Sequence, residues 1–170
     1  MTEASQLYLI ALGSNRRHVS YGRPSEVVAA AIERLGEVGT VVARSRIIAS
    51  APLGPSRRRF ANAAVVIETR HEPIALVDRL QAIERDFGRR RARRWGARVI
   101  DLDIILWSGG VLATRRLTIP HPGLSERSFV LDPAAEIAAD WRDPVGGRSI
   151  RQLAKQLSRP KPLDPGPTPF

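Results

Sequence analysis

Asp101 and Asp103 stand two residues apart in the stretch Arg98-Val99-Ile100-Asp101-Leu102-Asp103-Ile104-Ile105-Leu106. Six of the eight residues after Arg98 are apolar and four of those are β-branched, the composition of a packed strand. Side chains two apart on a strand share a face, so both carboxylates point the same way, their Cα atoms roughly 6.5–7 Å apart. Leu102, Ile104 and Leu106 are expected on the opposite side, in a core. Carboxylates on such a strand are costly to bury unless something pairs them. Hard cations such as Mg²⁺ take oxygen ligands and commonly use one or two carboxylates plus substrate phosphates. Two such ions, about 3.5–4 Å apart, would suit the pair. The plainer alternative is a strand end whose acids meet solvent or arginine. Phosphate chemistry also needs cations that neutralise developing charge. Arg98 lies three residues before Asp101 and can reach a phosphate held there. Arg89 and Arg91, in the arginine-rich run before it, can close over the same substrate.

Other residue types add to this centre. Phe60 and Asn62 share strand parity, so a flat heterocycle can stack on Phe60 while Asn62 reads its hydrogen-bonding edge. The plain alternative is a core Phe and an exposed Asn. Gln81 and Glu84, three apart on a helix, share an edge. His121 lies between two prolines, Pro120 and Pro122, which restrain its backbone. Arg127 and Phe129 fall close together on the next segment. Trp95, among arginines, can stack on a base or anchor its loop. Gly13-Ser14-Asn15 reads as a turn after a strand, with N–H groups that can face an anion.

The formal net charge is +10, and 25 of the 27 basic residues are Arg. Such a balance favours anionic partners: nucleic acid, phosphate esters or acidic lipid. With no cysteine there is no thiolate metal site, and three His argue against a His-built zinc site. The apolar run Leu7–Leu12 is only six residues, too short for a signal sequence or a membrane span. We therefore expect a soluble, cytoplasmic, monomeric protein with no membrane partner.

The elements that must position these residues follow from pattern. Leu7–Leu12 is a buried strand. Pro24 opens a helix with Val27, Val28, Ala31, Ile32 and Leu35 on one face, ended by Gly36 and Gly39. Val41–Ser50 is a β-rich run, and Phe60–Thr69 is the next strand. Pro73 opens a second helix, ended by Gly88. Val99–Leu106 is the acidic strand. The order β-α-β-β-α-β predicts a ferredoxin-like α+β core with the first and last strands side by side. A C-terminal extension of short strands and helices follows. It comprises a small hairpin in Val111–Thr118, a short helix capped by Ser125 through Leu131, and a break at Pro133. A last helix is capped by Ser149 and Gln152 and runs to about Leu157. Residues 1–158 form a single domain, and 159–170, rich in proline, a mobile tail.

Five motifs in register carry a family resemblance. They are Leu12-Gly13-Ser14-Asn15, then Ala51-Pro52-Leu53-Gly54-Pro55 with Phe60-Ala61-Asn62-Ala63-Ala64, then Arg94-Trp95-Gly96-Ala97-Arg98-Val99-Ile100-Asp101-Leu102-Asp103. Last come Ile119-Pro120-His121-Pro122 and Arg127-Ser128-Phe129-Val130-Leu131. Their order and spacing resemble the 6-hydroxymethyl-7,8-dihydropterin pyrophosphokinases of folate biosynthesis, from about Leu7 to Leu157.

The resemblance implies an ATP-dependent diphosphotransferase. The pterin hydroxymethyl oxygen attacks the β-phosphorus of ATP, giving AMP and the pterin diphosphate. It implies that Asp101 and Asp103 bind two Mg²⁺ ions, with Arg89 and Arg98 as further catalytic groups. It implies pterin contacts at Ser50, Ala51, Leu53, Phe60, Asn62 and Phe129. ATP contacts are implied at Gln81, Glu84, Arg91, Trp95, Arg98, Ile104, Arg116, Thr118, His121 and Arg127. Ile104 would act through its backbone. Three departures stand out: Ala97 where the family usually has Pro, Val99 where it has Thr, and Phe60 where Tyr is frequent. A nucleic-acid module built on the arginine loop would leave the acid pair without a purpose, so nucleic acid is not the expected partner. A pterin- or nucleotide-binding regulator without catalysis would bind but release no AMP.

Overall fold

Strand β1 (Gln6–Ser14) is the axis of a sheet, and its two neighbours carry the candidate chemistry. The structure is a computed structural model, and it describes residues 4–50, 59–88 and 99–159. On one side β1 pairs antiparallel with β4 (Phe60–Thr69), and on the other with β5 (Asp101–Trp107). Strands β2 (Thr40–Arg44) and β3 (Ile48–Ser50) both pair with β4, so the order is β2-β4-β1-β5. The first and last strands of the predicted βαββαβ core are therefore neighbours, as the ferredoxin-like order requires.

Helices α1 (Pro24–Leu35) and α2 (Pro73–Asp86) start at prolines, where the missing N–H is no loss. Their apolar stripes pack on one face of the sheet with Tyr8, Ile10, Leu12, Val65 and Ile67. After the hairpin of β6 (Leu112–Ala113) and β7 (Thr118–Ile119), a 3₁₀ turn (Leu124–Glu126) leads into α3 (Ser128–Ala138) and α4 (Ile150–Leu157). These two helices cover the other face, over Leu9, Ala11, Ala64 and Val66. Burial on both faces explains why nearly all of β4 is apolar. Among the described residues, no helix is long and apolar enough to cross a membrane.

Several sequence expectations need correction. The run Val41–Ser50 is two strands. At the break, Ser45 N–H donates to the Ala64 carbonyl, and the Ser45 hydroxyl accepts from Ala64 N–H at 2.9 Å in place of a ladder carbonyl. The acidic strand begins at Asp101 rather than Val99, because its partner β1 ends one residue beyond the Gly13–Asp101 pairing. Leu106 does not share a side with Leu102 and Ile104. A register shift places Leu9 opposite Leu106 and Ile10 opposite Ile104, so Ile105 is an extra residue and the alternation flips. Ile105 and Leu106 both enter the α3–α4 core.

Gly13 and Ser14 are strand residues, not a turn. Pro133 does not break its helix. It is buried within α3, where packing on the sheet with Val130, Leu131 and Ala134 outweighs one lost helical hydrogen bond. The helix expected from Ser125 starts instead at Ser128, with Arg127 as its N-cap.

The cap of α4 is the predicted one. Ser149 Oγ accepts from Gln152 N–H at 3.2 Å, and Gln152 Oε1 accepts from Ser149 N–H at 2.9 Å. We expect Ser149→Ala to lower stability by about 1 kcal/mol in denaturant unfolding, while the rate of the catalysed reaction at 25 °C stays as it was. An unchanged midpoint would show that the cap contributes nothing.

Candidate active site

Register places the candidate residues in rows across the sheet. Asn62 on β4, Gly13 on β1 and Asp101 on β5 are direct partners, as are Ala64, Ala11 and Asp103 one step further along. Partners across a sheet point to the same face, so both acids and the Asn amide share the face that α3 covers. The small residues Ala11 and Gly13 between them leave room that larger side chains would fill.

That room is a cleft of about 350 Å³. Its floor is Ala11 and Gly13, Ser50, Phe60 and Asn62 close one end, and Asp101 and Asp103 the other. The first turn of α3 supplies the opposite wall through Phe129 and Val130, with Arg127 before it. The Arg127 guanidinium carbon lies 5.9 Å from the centre of the Phe129 ring, a cation–π contact. Asn62 is 3% exposed, and its Nδ2 donates to Ser50 Oγ at 2.6 Å. The amide is therefore held in one orientation, with Oδ1 toward Gly13. The alternative of an exposed Asn is ruled out.

A second cleft, about 290 Å³, lies along the outer edge of β5. Gln81 and Glu84 of α2 form one wall, and the segment from Thr114 to Pro122 the other. Two bonds fix this edge. Leu102 N–H donates to the buried Glu84 carboxylate at 2.9 Å, and His121 N–H donates to the Ile105 carbonyl at 3.0 Å. Strand alternation turns the Ile104 backbone toward the same edge as Leu102 N–H. The Ile104 side chain is buried in the α1–α2 core, so any contact from Ile104 with a ligand must be through its backbone. Arg116 forms an ion pair with Asp78 at the rim, and Arg115 lines the cleft beside it.

His121 is oriented by its neighbours. Its Nδ1 accepts from Gly123 N–H at 3.0 Å, which leaves the proton of the neutral ring on Nε2. Burial pushes its pKa below the ordinary imidazole value; Asp103 opposes that shift and Arg127 adds to it.

Asp103 lines both clefts, and among the described residues it alone does so. The two chambers therefore meet at a carboxylate. Among the described residues no group of three or more His, Asp or Glu side chains is placed to hold a metal unaided. Two acids on one face suit a cation that completes its shell with ligand oxygens and water, as Mg²⁺ does.

Of the residues singled out from sequence, Ser50, Phe60, Asn62, Asp101, Asp103, Arg127 and Phe129 meet at the first cleft. Gln81, Glu84, Ile104, Arg116, Thr118 and His121 meet at the second. Arg127, grouped with the nucleotide contacts, stands on the wall of the first cleft, yet close enough to His121 to bias its charge. Ala51, Leu53, Arg89, Arg91, Trp95 and Arg98 lie outside the described residues. Sequence reasoning placed Gly13 near the acids but as a turn, and missed Ala11 of the floor and the wall residues Thr114 and Arg115. Two small residues at i and i+2 of a strand otherwise built from large ones were the available signal for the floor.

Residues 9–139 match the family model described as 7,8-dihydro-6-hydroxymethylpterin-pyrophosphokinase. The chain is 39% identical over 161 residues to the 2-amino-4-hydroxy-6-hydroxymethyldihydropteridine pyrophosphokinase of Haemophilus influenzae, covering 93% of this chain and 97% of that protein. It is 43% identical over 152 residues to the Pseudomonas aeruginosa protein of the same name, covering 87% and 90%. Among solved structures, the HPPK-DHPS of Plasmodium falciparum with pteroate superposes with a TM-score of 0.70 over 92% of this chain. The chain spans 43% of that longer one, and at 12% identity the likeness concerns fold.

The environment of His121 has a pH consequence. A base with a lowered folded pKa takes up protons more readily when unfolded. Its contribution to stability is thus present above the unfolded value near 6.5 and is lost as pH falls below it. We expect an NMR titration of the His121 ring to give a midpoint below 6.5. Acidification from about pH 7 to about pH 5 should destabilise the wild type more than His121→Gln. A midpoint above the ordinary value would contradict the assignment.

Proposed function

The chain belongs to the 7,8-dihydro-6-hydroxymethylpterin-pyrophosphokinase family, and from that premise we propose how its two clefts divide the reaction between them. The protein transfers pyrophosphate from ATP to the hydroxymethyl group of 6-hydroxymethyl-7,8-dihydropterin. In our reading the first cleft takes the pterin. Phe60 and Phe129 flank the flat ring, and the Asn62 amide, held by Ser50, reads its polar edge. Phe60 stacks without the hydroxyl that a Tyr would add. The second cleft takes ATP, with Gln81, Glu84, Thr118 and the Ile104 backbone around the nucleoside and His121 and Arg116 toward the phosphates.

Asp101 and Asp103 are the residues that would hold Mg²⁺, two ions in our reading. Magnesium there supplies positive charge that offsets the triphosphate's negative charge. The chain's own groups do the rest. Neutral His121 offers its Nε2–H to a phosphate oxygen, and Arg127 adds a fixed cation beside it. The walls align the pterin hydroxyl with the β-phosphorus, so a bimolecular encounter becomes a positioned one. The new bond joins the pterin oxygen to that phosphorus. The bond from the same phosphorus to the oxygen bridging it to the α-phosphorus breaks, AMP leaves with that oxygen, and the proton of the pterin hydroxyl passes to water. By the family resemblance, Arg89, Arg91, Trp95 and Arg98 would contact ATP, the arginines offsetting phosphate charge.

One observation carries the reading: Asp103 borders both an apolar slot and a polar, cationic one. A group passed between two substrates must cross such a junction. The test is release of AMP from ATP, 6-hydroxymethyl-7,8-dihydropterin and Mg²⁺. Asp103→Ala should reduce turnover by about 100-fold or more, beyond the loss typical of a metal's outer-shell partner, with its melting curve intact. A folded Asp103→Ala enzyme near the wild-type rate would remove Asp103 from the reaction.

A further inference from the structure

Gly13 is bare for reasons of space, not backbone conformation. It lies inside β1, paired on both sides, and is not among the glycines with positive φ. Any residue adopts such a backbone. Nor does strand pairing by itself demand glycine on this face, because Ala11, two residues earlier, carries its methyl between Ala64 and Asp103. What differs at Gly13 is its cross-strand partner, Asn62. A Cβ there would lie 3.1 Å from Asn62 Oδ1. Asn62 cannot easily retreat, being 3% exposed and tied through Nδ2 to Ser50.

Resting on the assignment of the first cleft to the pterin, we propose that Gly13 is a specificity-determining residue of that cleft. Its missing side chain leaves a slot across β1, open from Asn62 on one neighbouring strand to Asp101 on the other. Two interstrand spacings, roughly 9.6 Å, separate those backbones. A planar two-ring substrate fits this slot lengthwise. Its amide-like edge meets Asn62 at one end, and its hydroxymethyl group reaches the acids at the other. The slot thus selects for the width of a ring seated between Phe60 and Phe129 and for a nucleophile at its far end. A methyl at position 13 raises the floor of the slot and crowds the Asn62 oxygen, which its bond to Ser50 holds in place. The nucleotide cleft lies on the outer edge of β5, and Gly13 has no part in it.

The test compares wild type with Gly13→Ala in four measurements. These are AMP release, pterin KM, affinity for a nonhydrolysable ATP analogue with Mg²⁺, and thermal melting. We expect Gly13→Ala to raise the pterin KM by about tenfold or more, the scale of one misplaced methyl in a fitted pocket. Analogue affinity should stay at the wild-type value, in a variant that still melts cooperatively. An unchanged pterin KM in a folded variant overturns the role of Gly13. So does an equal loss of analogue affinity, which would mark a general structural defect. If the wild type itself releases no AMP, the cleft assignment fails first, and this inference fails with it. Should Gly13→Ala not fold, Gly13→Ala/Asn62→Ala is compared with Asn62→Ala alone, since the crowding oxygen is then absent. Weaker pterin binding by the double variant supports the slot, and equal binding overturns it.

Discussion

Two carboxylates on one face of one strand set the terms for everything around them. At about 7 Å and an effective dielectric constant near 20, two such charges repel by about 2 kcal/mol. A sheet accepts that cost only where a cation or a chain of donors answers it. Strand β5 meets this condition through its place in the sheet. It ends the order β2-β4-β1-β5, so one face opens on the first cleft and its outer edge on the second. Asp103 stands at the corner of the two openings. A strand in the middle of the sheet could present such a pair to one chamber but not to both.

The supporting architecture follows from that corner. Ala11 and Gly13 keep the floor low beside the acids, while Leu9 and Ala64 help anchor the covering helices on the same face. Helix α3 buries Val130, Leu131 and Ala134 on the sheet, and its first turn thereby delivers Phe129 opposite Phe60. The bulge at Ile105 sends Ile105 and Leu106 into that helix-covered core. On the outer edge, Glu84 and His121 each satisfy one β5 backbone group and leave Ile104 between them. The hydrogen bonds that hold the edge together thus also shape the second cleft. Mutations at these two positions will report on stability and binding together, and the two effects need separate readouts.

Much of this was legible from residue order. The βαββαβ core, the prolines opening α1 and α2 and the Ser149–Gln152 cap follow from local rules that tertiary packing did not override. The parity of Asp101 with Asp103, and of Phe60 with Asn62, placed each pair on one face before any register was known. Other features depend on contacts between distant segments. The flip at Leu106 comes from a bulge against Leu9, which no local pattern in β5 announces. Pro133 reads as a breaker until the sheet beneath α3 is known to compensate. Ser45 divides a continuous β-rich run by hydrogen bonding to Ala64 on another strand. Gly13 resembled a turn because glycine usually marks one, whereas here it serves as empty volume beside Asn62.

On our proposal, Asp101 and Asp103 together would hold a metal where the two clefts meet. A crystal structure with Mg²⁺, a nonhydrolysable ATP analogue and the pterin tests it most directly. Oxygens of both carboxylates should lie about 2.0–2.1 Å from magnesium, with the triphosphate reaching the same metal from the His121 side and the pterin hydroxyl from the Asn62 side. Metal and nucleotide seated elsewhere, with both Asp side chains turned from the ligands, would contradict it.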